Sequence, residues 1–230
     1  MEFDPILSAP EWQGLALLTL SRRLVCGLKK LPVDVGQHEM RHTTFGKRMA
    51  FDMVPHKLGG KALDLGCRDG YWSERLRSKG YEVVSCDIEP LCPGATRVDA
   101  NQKLPFSNAQ FDLVWCTEVI EHLLDTKSSL AEMRRVLKPN GTLLLTTPNS
   151  SFWVFRLTNI LGIPLSAIQN QDHHLFLSFA DFAVLLPGCD TMGYFPYMLY
   201  KRSIRRYASL LSPTIVVRFR DAASGEFKLQ

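Results

Sequence analysis

The sequence predicts an α/β fold: an open, mostly parallel sheet with helices packed on both faces. Three observations carry this expectation. Residues 63–70 read Leu-Asp-Leu-Gly-Cys-Arg-Asp-Gly, an apolar run that breaks at once into a glycine turn. The next apolar run, Tyr81 to Asp87, ends on an acid. From there to residue 150, strand and helix signals alternate, as in parallel strands joined by crossover helices.

The first 58 residues read as a helical extension. Trp12 to Leu28 is apolar at helical spacing, with Leu17, Leu20, Leu24 and Leu28 in series, and Pro32 ends it. Arg22-Arg23 and Lys29-Lys30 give that segment a basic side. A second helix is expected from Thr44 to Met53. Residues 59–150 then form a ligand-binding core with strands at 61–66, 82–87, 95–98, 111–116 and 142–147. The helix after the glycine turn places Trp72 and Leu76 four apart on one face, and Gly80 stops it. The helix before the fifth strand carries Leu130, Met133, Val136 and Leu137, with Pro139-Asn140-Gly141 as the turn behind it. Residues 151–230 are less regular. They hold an apolar stretch from Phe152 to Ile168, a helix from Phe176 to Leu186, and closing strands near 194–200 and 213–219.

At 230 residues the chain is expected to be one domain, 1–230. A net charge of +4 is too mild to argue for nucleic acid. The six cysteines form no C-x-x-C, and no Cys/His group has zinc-ligand spacing, so no metal is expected. Free thiols in a reducing compartment fit that pattern. The N-terminus lacks the basic start and apolar stretch of a secretory signal, and no run is long and apolar enough to span a bilayer. A cytoplasmic location follows as the expectation.

The glycine turn has the spacing G-x-x-x-G, at Gly66 and Gly70. A dinucleotide fingerprint needs G-x-G-x-x-G, with a helix N-terminus aimed at a pyrophosphate. A ligand without phosphates fits better. Asp87 lies about 20 residues beyond the turn, where a ribose-binding acid belongs. Its carboxylate can accept from two hydroxyls at once. The competing reading is a strand-end Asp that caps its own turn.

LDLGCRDG, VVSCDIEP, VDANQKLPF, FDLVWCTEVIEHL and RVLKPNGTLLLTTPN follow one another in order across residues 59–150. Together they resemble the class I S-adenosylmethionine-dependent methyltransferases, more narrowly the type-11, ubiquinone-biosynthesis-like small-molecule branch. The resemblance implies a Rossmann-like, seven-stranded sheet whose last strand is antiparallel. It implies S-adenosyl-L-methionine as cofactor and S-adenosyl-L-homocysteine as product. The chain departs from the family at Arg68, where the pattern has a middle glycine.

By the same resemblance, the backbone at Gly66 and Cys67 meets the amino-carboxylate of the cofactor, Asp64 orders the loop, and Gly70 completes the turn. Asp99 faces the adenine amino group, Ala100 donates from its backbone, and Ile88 lies against the ring. Asp99 also reads as an exposed loop acid, and Ile88 as core. Cys116 and Thr117 end the fourth strand, at the carboxyl edge where open α/β sheets bind ligands. A nucleophilic Cys116 is rejected, since nothing in sequence lowers its pKa.

Methyl transfer from a sulfonium is an in-line displacement, so the protein chiefly positions the reactants. A hydroxyl acceptor also needs a base. His122 is the leading candidate, with Glu118 and Glu121 on the same face of a helical turn. The alternative is that His122 and Glu121 brace the sheet edge. His173 and His174 form the second cluster, either acting on the acceptor or satisfying backbone groups at a helix start.

The sequence does not name the acceptor; the expectation is a small molecule or a cell-envelope glycan, lipopolysaccharide-type or lipid-linked. Residues 12–31 and the basic, aromatic stretch of Tyr200, Lys201, Arg202, Arg205 and Arg206 suggest contact with the inner membrane face or with a partner protein. The competing reading is ordinary core packing under a solvated basic face. Two other functions remain: a cofactor-binding scaffold with weak turnover, and an NAD-dependent oxidoreductase, which the missing G-x-G-x-x-G disfavours.

Overall fold

The computed structural model describes residues 44–162, 173–195 and 202–220. The expected helix over 12–28, and Tyr200 and Lys201 of the basic, aromatic stretch, lie outside these. Fifteen short elements build an eight-stranded sheet in the order β3-β2-β1-β4-β5-β8-β6-β7.

The chain enters through α1 (Phe45–Asp52), whose start is capped by the Thr44 hydroxyl accepting the Lys47 N–H at 3.4 Å. β1 (Gly60–Leu65) runs parallel to β2 (Tyr81–Asp87) on one side and to β4 (Phe111–Thr117) on the other. α2 (Tyr71–Ser78) links β1 to β2, and β3 (Thr96–Arg97) extends the sheet beyond β2. A single 3₁₀ turn, Ile120–His122, follows β4. α3 (Thr126–Val136) leads into β5 (Leu137–Pro148), which lies parallel to β4. After α4 (Trp153–Ile160) and α5 (Phe179–Leu185) come β6 (Asp190–Phe195), β7 (Arg202–Ile204), α6 (Ala208–Leu211) and β8 (Thr214–Arg220). β8 pairs antiparallel with both β5 and β6, and β7 with β6.

The fold class agrees with the sequence, and the five parallel strands fall close to their expected places. The sheet has eight strands rather than seven. The extra one, β7, has three residues of which two are polar, and Asp190 anchors the chain that follows it. That carboxylate accepts from both Arg205 and Arg218, at 2.8 Å from Arg205 Nη2 and 3.0 Å from Arg218 Nη2. The expected strand at 194–200 begins earlier, at Asp190. Pro139-Asn140-Gly141 is a bulge within β5 rather than a plain turn. Phe111 faces Leu137 and Leu113 faces Thr142, so three extra residues are looped out, with Asn140 at φ 64.

Strand alternation divides the core between the two faces. Leu113, Trp115, Leu144 and Val216 point to the face covered by α1 and α2, where they meet Phe51, Trp72 and Leu76. Val114, Cys116, Leu143 and Leu145 point to the face covered by α3 and α5, against Leu130, Met133 and Phe182. Trp72 and Leu76 are both buried, as their spacing predicts. Leu137 leaves the apolar stripe of α3 and starts β5.

At the amino edge of the strands, Asp112 ties three segments. It accepts from Lys57 Nζ at 2.6 Å, Lys138 Nζ at 2.8 Å and the Lys61 N–H at 2.9 Å. Burial opposes its charge, but Lys138, Lys57 and the Lys61 N–H outweigh it and hold the carboxyl well below the usual range.

Gly193 in β6 packs against the end of α6. A Cβ there would lie 2.3 Å from Ser212 Cβ, while Ser212 Oγ accepts the Tyr194 N–H at 3.0 Å. Gly193→Ala should therefore destabilise the fold by about 1–3 kcal/mol through overpacking. Thermal unfolding should show a melting temperature several degrees lower; an unchanged one would contradict the packing.

Candidate active site

β1 is the strand at which the sheet order reverses, since it is flanked by β2 and β4. Open α/β sheets have their crevice beyond the carboxyl ends of such strands. The residues singled out in sequence gather there.

The glycine turn leaves β1 with two N–H groups, Gly66 and Cys67, donating to the one Cys86 carbonyl at 2.8 and 2.9 Å. Gly66 has φ 88, and a Cβ on it would lie 2.2 Å from Val119 Cγ2. Only glycine satisfies both conditions. Arg68 replaces the middle glycine of the motif yet takes the left-handed conformation, φ 45, with its side chain exposed. A non-glycine residue tolerates this at a cost of about 1–2 kcal/mol. The loop therefore keeps its shape.

Asp87 stands at the end of β2 and is half-buried. Its Oδ2 accepts the Arg68 N–H at 2.8 Å and its Oδ1 the Glu89 N–H at 2.9 Å. It thus both caps its own turn and fixes the glycine loop, and each oxygen retains acceptor capacity. Ile88 beside it is 52% exposed, so it is not core. Asp99 follows β3; its Oδ1 takes both the backbone and side-chain N–H groups of Asn101, at 2.8 and 3.0 Å. Asn101 Oδ1 in turn accepts the Leu124 N–H at 2.7 Å. Ala100 offers its carbonyl to Ser129 Oγ at 3.0 Å.

Below the loop, Asp64 is buried inside β1. Ser73 Oγ donates to it at 2.6 Å. Ser73 Oγ also lies 2.7 Å from Ser85 Oγ. When Asp64 is ionised the Ser73 proton is committed to it, and Ser85 is then the donor of that contact. Burial pushes the Asp64 carboxyl up to about 7, against the lowering effect of Ser73.

Cys116 and Thr117 are buried at the end of β4. Burial, then the charges of Glu121 and Asp64, push the Cys116 thiol up, away from nucleophilic chemistry.

The segment beyond Thr117 corrects one expectation. Glu118 and His122 do not share a helical face. Glu118 has φ 56, and its N–H extends the β4–β5 ladder to the Thr146 carbonyl at 2.9 Å. Helical geometry begins only at Ile120. Glu121 is fully buried and accepts from Thr147 Oγ1 at 3.1 Å. Burial, reinforced by the charge of Glu118, raises its carboxyl well above the usual range.

The Glu121 carbonyl accepts the N–H groups of both His174 and Leu175, at 2.9 and 3.1 Å. That pair of bonds carries His173 to His122, with ring centroids 4.8 Å apart and rings at 79°. His174 is exposed, so of the expected pair only His173 joins His122. Ligand atoms of Glu121, His122 and His173 lie within 4.8 Å of one another, a donor set able to hold a cation. Sequence spacing held no sign of this set, because His173 arrives from a distant segment. Val119, Ser73 and Ser85 were likewise missed, as nothing local marks a residue that packs on a glycine or completes a buried hydroxyl chain.

A family model for a methyltransferase domain matches residues 37–188, more than half of the chain. The chain belongs to this family. Its cofactor is S-adenosylmethionine. A ubiquinone biosynthesis O-methyltransferase of Methylococcus capsulatus is 28% identical over 186 residues, covering 70% of this chain and 78% of that protein. A malonyl-[acyl-carrier protein] O-methyltransferase of Erwinia billingiae is 31% identical over 120 residues, covering 48% of this chain and 47% of that protein. The chain thus spans about half to four-fifths of the curated relatives it matches. A methyltransferase structure from Archaeoglobus fulgidus superposes with a TM-score of 0.60 at 16% identity, over 78% of this chain and 94% of that one, which supports the fold.

The raised Asp64 pKa has a measurable sign. Between about pH 4 and about pH 7 the folded methyltransferase keeps a proton that the unfolded chain has released. The stability owed to this group is present below that window and lost as pH rises through it. Asp64→Asn should make the fall of unfolding free energy across the window shallower, by up to about 1.4 kcal/mol per pH unit. Urea unfolding at pH 5 and pH 7.5 reads the difference, and parallel profiles for the two proteins would count against it.

Proposed function

We propose that this methyltransferase acts on a hydroxyl oxygen, of a small molecule or of a lipopolysaccharide-type or lipid-linked cell-envelope glycan. The single observation that supports it most is the pairing of His122 with His173 at the mouth of β4, beside the loop held by Asp87. The relatives named above are O-methyltransferases, which agrees with an oxygen acceptor.

S-adenosylmethionine supplies an electrophilic methyl group on a sulfonium. Asp87 accepts the ribose hydroxyls with the lone pairs its two N–H partners leave free. Asp99 receives the adenine amino group, the Ala100 backbone donates to the ring, and exposed Ile88 covers its face. The backbone at Gly66, Cys67, Cys116 and Thr117 holds the methionine end, on a turn fixed by Asp64 and Gly70. His122, oriented by His173, takes the acceptor proton at an imidazole nitrogen. Glu121, held neutral by burial, adds no competing charge to the methyl path. His174 lies further out and meets the acceptor rather than the reacting oxygen.

The donor set of Glu121, His122 and His173 favours a second reading, in which a divalent cation would hold the acceptor oxygen and lower its pKa. Contact with the inner membrane face or a partner protein is supported by exposed Arg202, Arg205 and Arg206 beside Tyr207, which is 61% exposed. No helix among the described residues is long and apolar enough to cross a membrane.

Asp87→Ala should weaken S-adenosylmethionine binding by about 1–3 kcal/mol, read by calorimetry; unchanged affinity would overturn the ribose assignment. His122→Ala should slow turnover about 10²-fold or more with cofactor affinity kept. Chelation of the wild-type enzyme separates the two readings of His122. Activity that survives supports a base, and activity restored only by added divalent metal supports a cation.

A further inference from the structure

Two thiols meet directly beneath the loop that Asp87 fixes. Cys67 Sγ and Cys92 Sγ lie 3.9 Å apart. Cys67 is buried in the glycine turn, and Cys92 is half-buried in the segment that follows β2. Cys92 also packs on the second glycine: a Cβ at Gly70 would lie 3.0 Å from both Cys92 Cβ and Cys92 Sγ. The bare Gly70 therefore leaves the room that Cys92 occupies. The two segments are already laced by their backbones, with the Leu91 N–H donating to the Arg68 carbonyl at 2.8 Å. The other described cysteines stand apart. Cys86 and Cys116 are buried within strands, and Cys189 donates to the Phe182 carbonyl at 3.7 Å.

We propose that Cys67 and Cys92 form a thiol pair that a hydroperoxide closes to a disulfide, and that closure weakens cofactor binding. Cys92 is the more accessible sulfur and reacts first. Its thiolate attacks the peroxide, the O–O bond breaks, and a sulfenic acid forms as hydroxide leaves and is protonated to water. Cys67 sulfur then attacks the Cys92 sulfur. The S–S bond forms as the S–O bond breaks, and a second water leaves with the Cys67 proton. With hydrogen peroxide the sum is two thiols and one peroxide giving one disulfide and two waters. Burial, followed by the charge of Asp64, raises the Cys67 pKa, which keeps it the less reactive thiol toward peroxide and leaves Cys92 to be oxidised first.

A disulfide holds its sulfurs at about 2.0 Å, so closure draws Cys67 Sγ and Cys92 Sγ together by nearly half of their present 3.9 Å separation and pulls on the turn and the post-β2 segment that carry them. Arg68, next to Cys67 in the chain, donates its N–H to Asp87 and accepts the N–H of Leu91, which is next to Cys92. Displacing them disturbs the site where the ribose is placed under the function proposed above. Disulfide formation itself is independent of that placement; its effect on the cofactor rests on it.

The test treats the full chain with hydrogen peroxide and measures S-adenosylhomocysteine binding by calorimetry, with peptide mapping of the disulfide. The expected result is a Cys67–Cys92 linkage, an affinity at least 10-fold lower, and recovery on adding dithiothreitol. Cys92→Ser should bind as the untreated protein does and should not respond to peroxide. Mapping that finds both thiols still free to alkylate overturns the proposal. So does a mapped disulfide with unchanged affinity, or a Cys92→Ser variant that loses affinity under peroxide like the wild type. Asp87→Ala, measured in the reduced protein, reports separately on the cofactor placement.

Discussion

The carboxylate of Asp87 accepts the Arg68 N–H through one oxygen and the Glu89 N–H through the other, and the rest of the site is arranged around that fork. It joins the end of β2 to the turn leaving β1, and these are neighbouring parallel strands. A charge-assisted bond to a backbone donor is among the stronger contacts a loop can have. With it, the turn needs no glycine at position 68: Arg68 is held at φ 45 by a bond from its N–H to Asp87.

The sheet makes that fork rigid. Alternating side chains on β4, β5 and β8 fill both faces, so each strand is clamped from two sides. At one edge of the strands Asp112 gathers two ammonium groups and an N–H; at the other edge the loops are left to bind. In open α/β sheets ligands bind beyond the carboxyl ends of the strands, which is the edge left free here.

Much of the cofactor half could be read from the sequence, because its signals are local. A glycine turn, a strand-end acid and a four-residue apolar spacing each lie within a few residues of what they specify. The acceptor half could not be read in the same way. Helical spacing put Glu118 with His122, but the ladder bond from Glu118 to Thr146 is made across strands and pulls that residue out of the turn. Which of His173 and His174 faces inward is decided by the Glu121 carbonyl, a partner that no periodicity reveals. β7 was missed for a related reason: it is three residues long with Ile204 as its one apolar residue, and the anchor of the chain after it is Asp190, distant in sequence. The expected helix over 12–28 falls outside the described residues.

Val119 resting on Gly66 has a consequence for how this site can evolve. The two residues belong to the two halves of the pocket, and their bulk is shared across one small gap. Any side chain gained at position 66 has to be matched by atoms given up at 119. A smaller residue at 119 would then act as a suppressor of Gly66→Ala, though a partial one, since the backbone angle at 66 still resists a Cβ. Drift at either position is thereby constrained by the other, and the cofactor and acceptor halves change as a linked pair.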